Sequence, residues 1–312
     1  MNKEIVYSMN TAYRGEYTIY GYSFGSGEKA ACIIGALRGN EYQQLYISSL
    51  LSKKLYDLET RGSIVAGKRI LLIPSLNYSS MNMGQKYWIS DNADLNRAFP
   101  GNPEGQAVSR IADAVLSYTD GYAYGIQFAS FYMDGQVFPH LRMLETGRQS
   151  NSLANLFGMQ YVLTAEPRAY DRATLNYNWQ MNGTEAFSIY SGATERIDEV
   201  SANNAVSAVL RFLTRMGIIR YNCHAGYIST VLDEEELLSI RSDKAGGFFR
   251  RLAGPGDEVT RGDIIANIVN PMTGDVKSQI YAPTDGIIFF AEEAPMVYQN
   301  SVIFKMIRRL HN

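Results

Sequence analysis

The chain has 312 residues, which at roughly 150 residues per domain suggests two domains. Lys and Arg number 29 and Asp and Glu 31, so the net charge of −2 supplies no bulk field for nucleic acid or an anionic membrane. Apolar residues at 46% exclude disorder. Apolar runs such as Ala30–Ile34 fall far short of the ~18 residues of a membrane span. Met1–Asn10 lacks a basic region followed by an apolar run, so no secretory signal is expected. Cys32 and Cys223 cannot build a disulfide framework, and a reducing, cytoplasmic setting is expected. Histidine is scarce: only His140, His224 and His311 are present.

In chain order, Ala30–Ala36 reads as a buried parallel strand. Asn40 can cap a following helix in which Ile47, Leu50, Leu51 and Leu55 share a face. Lys68–Ile73 reads as a second strand stopped by Pro74. Pro103 and Glu104 open a helix with Ile111, Ala112, Val115 and Leu116 inward. Tyr124–Ser130, Tyr161–Thr164 and Ala186–Tyr190 are further strands. A helix from Asp198 to Met216 carries the stripe Ala202, Val206, Val209, Leu210 and Leu213, and Gly217 ends it. This alternation predicts an α/β domain over residues 1–220 with a mainly parallel sheet flanked by helices. Residues 221–245, with the acidic run Asp233–Glu236, read as a connector. From 246 to 312, short β-type runs separated by glycine turns predict an all-β domain.

Two segments have the residue types for chemistry. In Gly35-Ala-Leu-Arg-Gly-Asn-Glu41, Arg38 and Glu41 lie at a strand-to-helix junction, where parallel sheets bind ligands. Taken alone, the pair is equally well a surface ion pair. In Asp94-Leu-Asn-Arg-Ala-Phe-Pro-Gly101, Asn96 and Arg97 combine an amide with a planar fork suited to a carboxylate. Taken alone, Arg97 is a loop arginine paired with Asp94.

GALRGNE and DLNRAFPG, about 55 residues apart, resemble two signatures of the succinylglutamate desuccinylase/aspartoacylase family, relatives of the zinc carboxypeptidases. The C-terminal GPGDEVTRGDIIANI and APTDGII are similar to that family's barrel-sandwich domain, which itself resembles biotinyl and lipoyl carriers. The carriers' AMK-type turn is lacking, and Lys277 reads as an ordinary strand residue. The resemblance implies a zinc-carboxypeptidase-like α/β domain followed by a barrel-sandwich domain, and hydrolysis of the amide bond of small N-acyl amino acids with one zinc. By residue, it implies that Glu41 matches the ligand Glu and that Asn96 and Arg97 match the clamp for a substrate carboxylate. Arg38 stands where the first ligand His is expected, Ala129 at the second His and Tyr190 at the catalytic Glu.

These replacements change the expected chemistry. A catalytic zinc takes three protein ligands, and Glu41 supplies one. A guanidinium stays protonated and repels a metal. Without metal, nothing lowers the pKa of water from about 15.7 toward 7. A phenol with pKa about 10 is a poor carboxylate substitute. The expectation is therefore a metal-free pocket for a small carboxylate, with Arg38 as a second anion contact and activity lost or altered. No cofactor is expected, zinc being implied by the resemblance alone. Tyr190 and Arg38 could instead run non-metal chemistry around a bound anion. The alternative is a metal-dependent amidohydrolase in which Glu41 and His140 hold the ion with a carboxylate such as Asp134 or Glu145. His224 is expected to be structural, and Tyr170, Tyr177 and Tyr190 can line the pocket. A small carboxylate-bearing partner is expected, not nucleic acid or membrane, and the oligomeric state is left open.

Overall fold

The computed structural model describes residues 1–11, 15–148 and 151–309; His311 lies outside them. The chain divides into two compact units: Met1–Ser130 with Pro139–Val231, and Phe131–Phe138 with Leu232–Asn312.

In the first unit the strands lie in the order Asn2–Asn10, Glu16–Gly25, Gly67–Ser75, Gly27–Ala36, Tyr124–Ala129, Glu185–Gly192, and then the 139–144 part of Gly135–Leu144, beside Tyr161–Ala165. Gly27–Ala36 pairs parallel with both Gly67–Ser75 and Tyr124–Ala129, and the latter pairs parallel with Glu185–Gly192. The first two strands form an antiparallel extension.

Both faces of this sheet are covered, which is why its central strands read as unbroken apolar runs. Ile33, Ile70, Leu72 and Ile126 face one core, with Ile47, Leu51 and Leu55 of the helix Tyr42–Thr60 and the Ala202, Val206, Val209, Leu210 and Leu213 stripe of the helix Glu199–Arg215. Their chain neighbours Cys32, Ile34, Leu71 and Ile73 face a second core, with Ile111, Ala112 and Val115 of the helix Ala107–Tyr118 and Trp179 of the helix Leu175–Met181. Asp198 caps the Glu199–Arg215 helix, accepting from the N–H groups of Val200 and Ser201 at 3.1 Å each.

Several boundaries differ from the sequence expectation. Asn40 does not cap the first helix; its Nδ2 donates to Glu195 Oε1 at 2.8 Å, and Glu41 takes the position before the helix. Pro74 does not stop its strand, which runs to Ser75: the antiparallel pairing with Glu16–Gly25 ends at Leu72, while the parallel pairing with Gly27–Ala36 continues to Ser75. The third helix starts at Ala107, because Asn102 Oδ1 accepts from Glu104 N at 3.0 Å and ties Pro103 into a turn.

The second unit is all β. Leu238–Arg241, Val302–Arg308, Gly286–Glu292 and Glu258–Val259 pair antiparallel in sequence, and residues 135–137 pair with 290–292. A four-stranded sheet runs Val276–Tyr281, Ile264–Val269, Gly247–Arg251, Met296–Val297. Ile265, Ile268, Ile280, Ile288, Ile303 and Phe304 fill the core. The segment 221–245 is therefore not a connector: Leu238–Arg241 is a strand of this unit, and the acidic run is a single 3-10 turn capped by Asp233. Lys277 is an exposed strand residue whose Nζ reaches Gly246 O at 2.8 Å.

The N-terminal edge strand is pinned by Glu4, which accepts from Ser23 Oγ, Tyr118 Oη and Arg69 Nη2. Partial burial works against the Glu4 carboxylate, but the Ser23 and Tyr118 hydrogen bonds and the Arg69 charge outweigh it, holding its pKa below the ordinary 4.5. A depressed folded-state pKa contributes stability above the unfolded value that is lost as pH falls through the folded one. Glu4→Gln is expected to lower the urea midpoint at pH 7 and to flatten the loss of stability below pH 4.5; equal acid sensitivity in both proteins would refute the role of Glu4.

Candidate active site

The site lies beyond the carboxyl ends of the parallel strands, the position at which such sheets bind ligands. After Ala36 the chain turns through Leu37–Asn40 into the first helix. A Cβ on Gly39 would lie 2.2 Å from Gln85 O, so this close approach requires glycine. Glu41 shapes the same turn: its Oε2 accepts from Leu37 N at 2.7 Å and Arg38 N at 3.0 Å. Its Oε1 accepts from Ser130 Oγ at 2.6 Å, just past the Tyr124–Ala129 strand. The residue is 2% exposed.

Arg38 is gripped from two sides. Its Nε and Nη2 donate to the two oxygens of Asp94 at 3.0 and 2.7 Å, a bidentate pair. Its Nη1 donates to Ser130 Oγ at 3.2 Å and lies 3.5 Å from Glu41 Oε1. Burial alone would lower the guanidinium pKa. The charge of Glu41, then the hydrogen bond and charge of Asp94, then Tyr190 raise it above the ordinary arginine range. The cation is permanent, and its donors face carboxylates rather than open space. Asp94 thus pairs with Arg38, not with Arg97, and the expected role of Arg38 as a second anion contact is replaced by an internal one.

The Ser130 proton is directed at a carboxylate that already holds two backbone N–H groups and faces a guanidinium.

Asn96 and Arg97 lie in a single 3-10 turn, Leu95–Arg97, capped by Asp94, whose Oδ1 also accepts from Asn96 N at 3.0 Å. Gln127 Nε2 donates to Asn96 Oδ1 at 3.3 Å, which turns the Asn96 amide N–H groups the other way. Arg97 Nη1 donates to Tyr170 O at 2.9 Å and the guanidinium lies 4.9 Å from the Tyr170 ring centroid; its Nε and Nη2 make no hydrogen bond among the described residues. Arg142, on the strand that carries His140, lies 3.7 Å from Asp171, the neighbour of Tyr170.

Tyr190, paired in register with Ala129, stacks on the fully buried ring of His140, centroids 4.8 Å apart and 5° from parallel. The Ala129 carbonyl accepts from Gln44 Nε2 at 3.2 Å. His224 is exposed and lines a separate cleft of about 440 Å³ with Arg211, Tyr221 and Cys223.

The residues do not suit a catalytic zinc. Among the described residues no three His, Cys, Asp or Glu side chains come together as a metal set, so Glu41 and His140 gain no third ligand. Both oxygens of Glu41 are engaged, and a guanidinium stands beside it.

Comparison with solved structures explains the arrangement of the strands and turns. A succinylglutamate desuccinylase from Silicibacter sp. TM1040 superposes with a TM-score of 0.78 over 97% of this chain and 92% of its own, at 19% identity. A succinylglutamate desuccinylase/aspartoacylase from Rhodobacter sphaeroides matches with a TM-score of 0.74 over 96% and 91%, at 17% identity. The chain has the succinylglutamate desuccinylase/aspartoacylase fold. A product-bound ectoine utilization protein from Ruegeria pomeroyi shares this fold, with a TM-score of 0.73 over 94% of this chain and 89% of that one, at 17% identity. In sequence, the chain is 22% identical over 281 residues to the N-alpha-acetyl-L-2,4-diaminobutyric acid deacetylase of Halomonas elongata, covering 83% of this chain and 76% of that protein. No protein-family profile matches it.

Asp94 and Ser130, which complete the Arg38 site, carried little signal in the sequence. Asp94 stood in the quoted motif but offered Arg97 as the nearer partner, and Ser130 was only the residue after Ala129. Removing one partner of a buried pair leaves an uncompensated charge. Arg38→Met is therefore expected to cost about 3–5 kcal/mol in urea unfolding. Adding Glu41→Gln to Arg38→Met should recover part of that loss. Additive costs of the two substitutions would show that the charges are not coupled.

Proposed function

We propose that this protein binds a small N-acyl amino acid on a desuccinylase/aspartoacylase fold without a metal, and that zinc-activated hydrolysis has been lost. The Arg38 guanidinium, held bidentately by Asp94 and set against Glu41, carries this reading. It places a permanent positive charge beside the one carboxylate that the resemblance assigns to metal, and a guanidinium can neither ligate an ion nor lower the pKa of water. The ligand class follows from the relatives: one deacetylates an N-acetyl amino acid, and others are desuccinylases or aspartoacylases. The ligand carboxylate is assigned to Nε and Nη2 of Arg97 and the amide of Asn96, with Tyr170 and Tyr190 as aromatic walls. The all-β unit is assigned as a barrel-sandwich domain.

Calorimetric titration of the chelator-treated protein with N-acetyl amino acids tests the reading. Binding is expected without added metal, and Arg97→Ala should weaken it about ten- to a hundredfold, the loss of a charge-assisted hydrogen-bond pair worth about 1.5–3 kcal/mol. Zinc bound at about one per chain, lost in Glu41→Ala together with amide cleavage, would refute the metal-free assignment.

A further inference from the structure

The helix Glu199–Arg215 carries Arg211 and Arg215 one turn apart at its carboxyl end, and both are turned to carbonyls. Arg211 Nε donates to Phe157 O at 2.7 Å and its Nη2 to Gly158 O at 3.4 Å; Arg215 Nη1 donates to Leu156 O at 2.8 Å. Carbonyls satisfy the N–H groups but bring no negative charge, and among the described residues neither guanidinium pairs with a carboxylate. Like charges four residues apart on a helix repel. The helix dipole favours Arg215 in the last turn and has faded at Arg211, a turn earlier. Partial burial lowers the Arg211 pKa below the ordinary arginine value, and Arg215 adds to that lowering against the opposing Cys223 and Tyr227. Arg211 is thus a half-buried cation without a counter-charge, a condition that a bound anion relieves.

Arg211 faces the cleft of about 440 Å³ in the first unit, together with Ser207, Tyr221, Asn222, Cys223 and His224. The loop that supplies the last four is pressed onto the arginine: a Cβ on Gly226, at φ +76°, would lie 2.7 Å from Gly158 O and 2.9 Å from Arg211 Nε. With Nε and Nη2 tied to carbonyls, Arg211 Nη1 makes no hydrogen bond among the described residues. The Ser207 hydroxyl, Tyr221 phenol, Asn222 amide and His224 imidazole add donors around the same space, and none of the described lining residues is acidic. Lys54 Nζ, 5.0 Å from the Tyr221 ring centroid, adds a further cation at the cleft wall. Several donors and cations around one space suit the three terminal oxygens and near-double charge of a phosphoryl group better than the two oxygens of a carboxylate. The volume is that of a small-molecule pocket.

We propose that this cleft binds a phosphate-bearing small molecule, with the phosphoryl group on Arg211 and the remainder against Tyr221. It shares no residue with the Asn96–Arg97 clamp, so the inference goes beyond the N-acyl amino acid reading and does not depend on it.

The test is calorimetric titration of the full chain with phenyl phosphate, inorganic phosphate and, at matched ionic strength, succinate. Cys223 supplies a reporter in the cleft, because Cys32 is buried: its labelling by the neutral reagent 4,4′-dithiodipyridine is followed as each anion is added. Phenyl phosphate is expected to bind at about one per chain with a Kd of about 1 mM or lower, and to slow Cys223 labelling with the same midpoint. Tighter binding of phenyl phosphate than of inorganic phosphate would identify a phosphate monoester as the ligand, and equal binding the free anion. Arg211→Gln should weaken binding about tenfold or more, and Arg211→Lys, which keeps the charge, should weaken it less. If circular dichroism shows Arg211→Gln to be unfolded, the exposed pair Asn222→Ala/His224→Ala takes its place, with an expected loss of about fivefold or more. No saturable binding, succinate binding as tightly as phenyl phosphate, binding without protection of Cys223, or unchanged affinity in the folded variant would each overturn the proposal. Arg97→Ala should leave phenyl phosphate affinity unchanged, so a failure here is distinguishable from a failure of the proposed function.

Discussion

The buried pairing of Arg38 with Asp94 and Glu41 is the constraint around which the candidate site is arranged. Glu41 folds the turn back on itself by accepting from Leu37 and Arg38, and the guanidinium then reaches across to Asp94 and Ser130. Glu41 would be costly to bury alone, and it is tolerated because the cation that faces it is also held by the half-buried Asp94. Asp94 in turn caps the short turn that carries Asn96 and Arg97. The charge cluster therefore anchors the turn that carries Asn96 and Arg97.

This arrangement separates two roles that a metal centre would combine. A bound zinc would orient neighbouring groups and also activate water. Arg38 retains the first capacity, since its five donors have a fixed planar geometry, and lacks the second, since a guanidinium is no Lewis acid and does not lower the pKa of water. His140 and Tyr190 are stacked beside the strand end, the buried imidazole packed face to face against a phenol. Among the described residues no helix is long and apolar enough to cross a membrane.

The α/β architecture was legible because a strand buried on both faces leaves an unmistakable apolar run, as in Ala30–Ile34, and because the stripe from Ala202 to Leu213 has a clear helical period. The N-terminal strands were not legible. Asn2–Asn10 alternates exposed and half-buried residues and is held by Glu4 reaching Arg69 and Tyr118, partners far along the chain. The strand Leu238–Arg241 was hidden for a similar reason: four residues carry too little pattern, and pairing with Val302–Arg308 is what makes them a strand. Likewise, the second unit recruits residues 131–138 from the middle of the sequence, which no linear boundary can express.

For the site, the sequence by itself determined the chemical inventory. Arginine stands at position 38, alanine at 129 and tyrosine at 190, and no folding can turn these into an imidazole or a carboxylate. The motif order likewise indicated the fold. Only the tertiary structure decided what Arg38 does, because its partners Asp94 and Ser130 are 56 and 92 residues away. Their meeting depends on parallel strands aligning their carboxyl ends, and at a distance of 2.7 Å a two-carboxylate grip excludes the open anion contact that residue types alone suggested.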